Sequence, residues 1–245
     1  KLVKLNLVFF NERSKRYSIH PMISKFADRF ITKAEQGISR KRHATHYLTA
    51  LVEANERMKS KTSKDLQYAI ALFNSEWENI QTGQSWSAAN IKQDENAPRM
   101  CYTYTEAATT LLGMLMPAGK SLQWFESALT AARQLNDSKG ELEQVLNLGN
   151  AHLSSNNYFL AIANFKQVLG IAHDTGKCLL EAGVLNDLGL CHAALGQNQD
   201  ALAQYEKSIQ IAQEMGDKAI ERTALNQSGH VYFAIGDAQK ATGFF

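Results

Sequence analysis

Apolar positions in the second half of the chain recur at helical spacing, and the pattern then repeats. From Glu141 to Ser154 the residues Val145, Leu148, His152 and Leu153 fall on one stripe. From Tyr158 to His173 the stripe is Ala161, Ile162, Phe165, Val168, Leu169 and Ala172. A shift of 40 residues lays each stripe on its successor: Leu148-Gly149 meets Leu188-Gly189, and Ile162-Ala163-Asn164-Phe165 meets Leu202-Ala203-Gln204-Tyr205. Gly149, Gly189 and Gly229 form one column and Ala161, Ala201 and Ala241 another. Phe125, Phe165, Tyr205 and Phe245 form a third that is aromatic throughout. Asn156, Gly196 and Gly236 lie between the two helices of a unit, and Asn136, Gly176 and Gly216 follow the second helix. Gly and Asn are the residues that enter left-handed backbone at least cost, so these columns predict helix C-caps. A mid-helix Gly costs about 1 kcal/mol against Ala. Its recurrence at 149, 189 and 229 predicts close approach of the paired helix, with the Ala161 column facing it and the aromatic filling space toward the next unit.

The amino-terminal pattern is different. Leu2 to Phe10 is rich in Leu, Val and Phe, and Arg16 to Ile19 follows after a polar turn, which predicts a β-hairpin. After His20-Pro21, the residues Met22, Ile23, Phe26, Ala27, Phe30 and Ile31 return to helical spacing. Ile38 to Met58 and Asp65 to Trp86 read as two long helices, and polar Ser87 to Pro98 as a loop. Pro98 to Met116 fits the repeat poorly and reads as a transition.

The Leu-Gly pair in the first helix, and the Ala followed by an aromatic in the second, resemble the tetratricopeptide repeat. The spacing of 40 is that of its longer-helix variety, found in kinesin light chain and related scaffolds. The family's Trp is replaced by Val145, Leu185 and Leu225, and its Pro after the second helix is missing. The hairpin, the Tyr17-Ser18-Ile19-His20-Pro21 run and the helices after it resemble the end of a winged helix and the linker in STAND-class signalling ATPases. Together these imply an all-α fold, a right-handed superhelix of helix pairs preceded by a helical linker and a small winged-helix-like segment. The expected division is a winged-helix remnant at 1–34, a linker at 35–98 and a repeat array at 99–245, with units near 101–140, 141–180, 181–220 and a truncated 221–245. The resemblance implies a non-catalytic sensor or scaffold that holds a protein, a peptide or another domain of its own polypeptide in a concave groove. In the family's register the groove positions are Leu146, Asn150 and Leu153, then Asn186, Leu190 and Ala193, then Asn226, His230 and Phe233. Asn186 and Asn226 share a column, and stacked amides can bond an extended backbone.

Composition narrows the chemistry. No G-x-x-x-x-G-K-[ST] occurs, so no nucleotide site is expected within this chain. Cys101, Cys178 and Cys191 lack any C-x-x-C spacing, which points to reduced thiols in a cytoplasmic setting, with no metal and no cofactor. His43 and His46 stand at i, i+3 without a third ligand. His152 and His192 share a column with Tyr232, which makes it a packing position. No nucleophile elbow or paired carboxylates support an enzyme. Charge is uneven: residues 1–64 carry 15 Lys and Arg against 5 Asp and Glu, and the remainder carries 11 against 19. The basic run Arg40-Lys41-Arg42 therefore supports an alternative in which a transcriptional regulator touches DNA through its amino-terminal end. An intramolecular docking face is the competing use of the same charge. The chain opens on Lys1 and stops at Phe245 inside a repeat, so a longer parent with further units is expected.

Overall fold

The computed structural model describes residues 8–12, 16–19, 22, 23, 26, 29–59, 62–116 and 118–244. Two antiparallel strands, β1 (Val8–Asn11) and β2 (Arg16–Ile19), pair with Val8 opposite Ile19 and Asn11 opposite Arg16. The earlier part of the expected first strand, the turn at 13–15, His20-Pro21 and Phe245 lie outside the described residues.

All else that is regular among the described residues is helical. Helix α1 (Lys33–Met58) begins five residues before the expected Ile38. Thr32 and Glu35 close a capping box there, the Thr32 hydroxyl accepting from the Glu35 amide and the Glu35 carboxylate accepting from the Thr32 amide. Helix α2 (Ser63–Ala89) and helix α3 (Ala97–Leu115) squeeze the expected Ser87 to Pro98 loop down to a short turn. Two local causes account for this. The buried Ser87 hydroxyl bonds back to the Gly83 and Gln84 carbonyls and stays helical, and Pro98 sits in the first turn of α3, where its missing N–H costs nothing.

Three helix pairs and the start of a fourth follow, α3 with α4 (Ala118–Gln134), α5 (Ser138–Ser154) with α6 (Tyr158–Asp174), α7 (Cys178–Ala194) with α8 (Asn198–Met215), and α9 (Lys218–Ala234) with α10 (Ala238–Thr242). Each helix packs on its sequence neighbour, and α7 also touches α9, giving a superhelical stack of helix pairs. At all six predicted cap positions φ is positive, from 53° at Asn136 to 85° at Gly236. The amide after each cap bonds a carbonyl five residues back, as Asn157 does to His152 and Gln197 does to His192.

Packing corrects one expectation. A Cβ on Gly149 would lie 2.5 Å from Cε1 of Phe165, and one on Gly189 would collide with the Tyr205 ring. The glycine therefore makes room for the aromatic of its own unit and not for the Ala column, while Phe165 still shares a core with Val184 and Leu188 of the next unit, as expected. Pro98 to Met116 also proves to be more than a transition. Tyr104, Leu111 and Leu112 are fully buried, and they share one core with Leu51 and Ala54 of α1, Phe73 and Ile80 of α2, and Trp124 of α4. The Tyr104 hydroxyl donates to the Ala44 carbonyl at 2.6 Å, and Trp77 stacks on Trp124 with ring centroids 5.8 Å apart.

Candidate functional site

The expected groove residues all sit on first helices, α5, α7 and α9, but at very different depths. Leu146 and Leu153 are half-buried and pack against the core of the 138–194 region, and Ala193 packs against the next. Leu190 is half-buried, while Asn150, Asn226 and His230 are exposed and Phe233 is 69 % exposed. Asn186 is only 6 % exposed, and its Oδ1 has no hydrogen-bond partner. The column shared by Asn186 and Asn226 therefore does not present two equivalent amides on one surface. Asn226 instead lines a broad, shallow depression with Lys218, Arg222 and Phe244.

Asn150 is drawn into a more enclosed feature. A cavity of about 410 Å³ opens between α3 and α5. Thr109, Leu112 and Gly113 of α3, with Met116 just beyond it, line one side, and Asn147, Asn150, Ala151 and Ser154 of α5 the other. Ser121 and Phe125 of α4 close the back. Gly113 occupies the register position of Leu153, Ala193 and Phe233, so a side chain present in the later units is missing here. Nothing lies within 4 Å of where its Cβ would stand. Leu112, Ser121, Phe125 and Ala151 are its buried lining residues, Asn150 and Ser154 are exposed, and none of the lining residues is charged. The 40-residue register could have revealed Gly113, because its column is otherwise filled by groove residues; the poor match of 98–116 to the repeat obscured it.

Titratable groups elsewhere are shifted by burial. Desolvation pushes the Asp187 carboxyl up to about 6, the Cys191 thiol up to about 11 and the Cys101 thiol up to about 12. These thiols are held in the poorly reactive form at neutral pH. The Tyr102 phenol rises to about 12 through burial and the nearby carboxylates Glu143, Glu106 and Asp137, and its hydroxyl donates to Glu143 Oε2 at 3.2 Å. His43 contacts Asn79 Oδ1 at 3.3 Å and the Tyr47 ring, and His46 packs on the other side of Tyr47. Among the described residues no group of three or more His, Cys, Asp or Glu could hold a metal. His152 has its pKa lowered, chiefly by burial, while His192 Nδ1 lies 2.7 Å from Gln197 Oε1 and Tyr232 stacks on Phe244.

In the basic run, Lys41 makes an ion pair with Asp94 at 2.6 Å, tying α1 to the turn before α3, and Arg40 and Arg42 remain exposed. No described helix is long and apolar enough to cross a membrane.

One regularity was missed at the sequence level. Arg133 Nε donates to Glu141 at 2.8 Å, His173 Nδ1 lies 3.6 Å from Glu181, and Gln213 donates to Glu221 at 2.8 Å. The glutamates stand one repeat apart, and two of the three are hydrogen-bonded across the cap to the preceding second helix.

The tetratricopeptide repeat family matches residues 141–214 and 180–245. No curated protein matches the chain in sequence. Among solved structures, BtubC (BKLC) from P. vanneervenii superposes with a TM-score of 0.56 and 18% identity, over 87% of this chain and 88% of that one. A kinesin light chain-like repeat protein from Podospora anserina gives 0.57 and 15%, over 81% and 91%. A STAND protein (Signal Transduction ATPase with Numerous Domains) with a tetratricopeptide repeat sensor, from Pyrococcus horikoshii, gives 0.53 and 15%, over 99% of this chain and 50% of that one. At these identities the likeness establishes the fold.

Proposed function

From a chain whose residues 141–245 match the tetratricopeptide repeat family, we propose a non-catalytic module that holds a protein or peptide along the face of its first helices, within a larger STAND-type regulator. The observation that carries the binding half is the cavity between α3 and α5, lined by the buried apolar residues Leu112, Phe125 and Ala151 together with Asn147, Asn150 and Ser154. Such a surface can bury an apolar side chain and bond the backbone around it, which is how an extended segment is recognised without chemistry. The regulator half is supported by an alignment with the Pyrococcus protein that runs through the amino-terminal hairpin and linker as well as the repeats. In that setting Lys41–Asp94 is a contact within the linker, holding α1 to the turn that leads into the array, which gives Lys41 of the basic run a use inside the molecule.

Photo-crosslinking residues placed at Asn150 and His230, against Lys207 and Gln210 on α8, test the binding half. Adducts in a cell extract are expected from the first pair alone, and equal yields from both pairs sink it. Reading the coding sequence upstream of Lys1 tests the regulator half: a phosphate-binding loop in the same frame supports it, and a start codon without one overturns it.

A further inference from the structure

The cavity between α3 and α5 has a polarity that specifies its occupant. Beyond their first turns, α3 and α5 carry no Lys or Arg. On the amino-terminal side of the cavity Glu106 and Glu143 stand one helical turn before the lining residues Thr109 and Asn147; Glu143 accepts from the Tyr102 hydroxyl at 3.2 Å, and both carboxylates raise that phenol's pKa. The opposite end of the cavity is neutral at Met116 and Ser154, with Lys120 next to Ser121. Gly113 stands at the exposed edge of the cavity, with nothing within 4 Å of where a Cβ would be, and the buried lining residues are Leu112, Ser121, Phe125 and Ala151.

We propose that this cavity is the anchor pocket for an extended peptide with one large apolar side chain and a Lys or Arg about three residues from it. The apolar side chain enters beside Gly113, the Asn150 amide bonds the peptide backbone, and the cation lies against Glu106 and Glu143. The spacing follows from geometry. Glu106 and Gly113 are seven residues apart on one helix face, roughly 10 Å along the axis at about 1.5 Å per residue. An extended chain covers roughly 3.3 Å per residue, hence about three residues. Charge complementarity fixes the sign, because an acidic peptide would meet two carboxylates at the end where the cationic one finds its partners. This inference rests on the peptide-binding reading above and narrows it to one class of ligand.

The test uses labelled peptides of Ser with a central Leu and a Lys three residues before or after it, followed by fluorescence anisotropy on the whole chain. Wild type is expected to bind at least one of the two. Replacing Leu by Ala in the peptide, or Gly113→Leu in the protein, is expected to weaken binding about tenfold, since either removes the burial of one large side chain. A Cβ at position 113 has nothing within 4 Å and Gly113→Leu replaces a helical glycine, so an unchanged or raised melting temperature certifies its fold. Glu106→Lys is expected to weaken the Lys peptide about threefold and to strengthen its Glu counterpart. Binding of the Lys peptide that Gly113→Leu leaves intact overturns the pocket, as does a wild-type preference for the Glu peptide; either result leaves peptide binding elsewhere on the face standing. Failure of wild type to bind any peptide, in an arrayed set spanning acidic, neutral and basic sequences, overturns both readings.

Discussion

Gly189 and Gly113 both lie inside first helices, and one added methyl group has opposite consequences at the two. At Gly189 a Cβ would collide with the Tyr205 ring, which is itself fully buried and cannot swing away. Gly189→Ala is therefore expected to cost about 1–3 kcal/mol of overpacking, against about 1 kcal/mol gained in helix propensity. At Gly113 the space is open, and Gly113→Ala is expected to stabilise by up to about 1 kcal/mol. Urea titrations followed by circular dichroism separate the two; equal effects would mean that the glycine column is not a packing device. Asp187 offers a second residue-level expectation. Burial raises its carboxyl to about 6 from an ordinary 3.8, so the folded chain holds that proton more firmly than the unfolded chain does. Its contribution to stability is present in full below about pH 4 and is lost as pH rises through about 6. Asp187→Asn, which copies the Asn147 found one unit earlier, should gain about 2 kcal/mol on wild type between pH 4 and pH 7.5. A gap between the two proteins that stays constant with pH would place the carboxylate in water.

At the scale of the element, the caps repeat most faithfully. Gly196 has φ of +74° and no neighbour within 4 Å of a Cβ, so any penalty for a side chain there is one of backbone alone. Gly196→Ala is expected to cost about 1–2 kcal/mol and Gly196→Asn distinctly less, since Asn156 holds φ of 58° at the same position of the preceding unit. Thermal melts of the two variants check the order; Ala at or above Asn would show that the left-handed turn does not limit stability. These turns were legible in the sequence because φ > 0 restricts residue type directly, and a column of Gly and Asn has few other causes. The start of α1 was misplaced, because the apolar stripe begins at Ile38 while the Thr32–Glu35 capping box starts the helix five residues earlier. Depth was not legible. Asn186 and Asn226 share a column, yet one is buried and the other exposed, because register fixes the direction of a side chain and not what lies over it. The partner of the glycine column was misassigned for a related reason. Sequence shows that something large must come close, and only the crossing of two helices decides that it is Phe165 and Tyr205 of the same unit.

Across the whole molecule, the long helices before the repeats behave as part of the stack. One core joins Leu51 of α1, Phe73 of α2, Tyr104 of α3 and Trp124 of α4. Phe125, on the same helix as Trp124, packs with Leu148 and Ala151 of α5. Leu129 packs against both that cluster and the larger one built around Phe165 and Val184. Apolar contact is therefore continuous from residue 51 to residue 191, and a neighbour-coupled stack of this kind should unfold as a unit if its interfaces outweigh the intrinsic instability of each pair. The chain provides its own reporters. All three tryptophans, Trp77, Trp86 and Trp124, lie ahead of α5, while the helical signal comes from the full length. Tryptophan fluorescence and circular dichroism are expected to give the same urea midpoint in the wild type. Phe125→Ala, which empties the contact between α4 and α5 at a cost of about 3–5 kcal/mol, should split them. The repeats beyond α5 then melt apart from the Trp77–Trp124 core. Separate midpoints already in the wild type would mean that the α4–α5 contact does not transmit cooperativity, and a binding event on the repeats would then have no mechanical route to the linker.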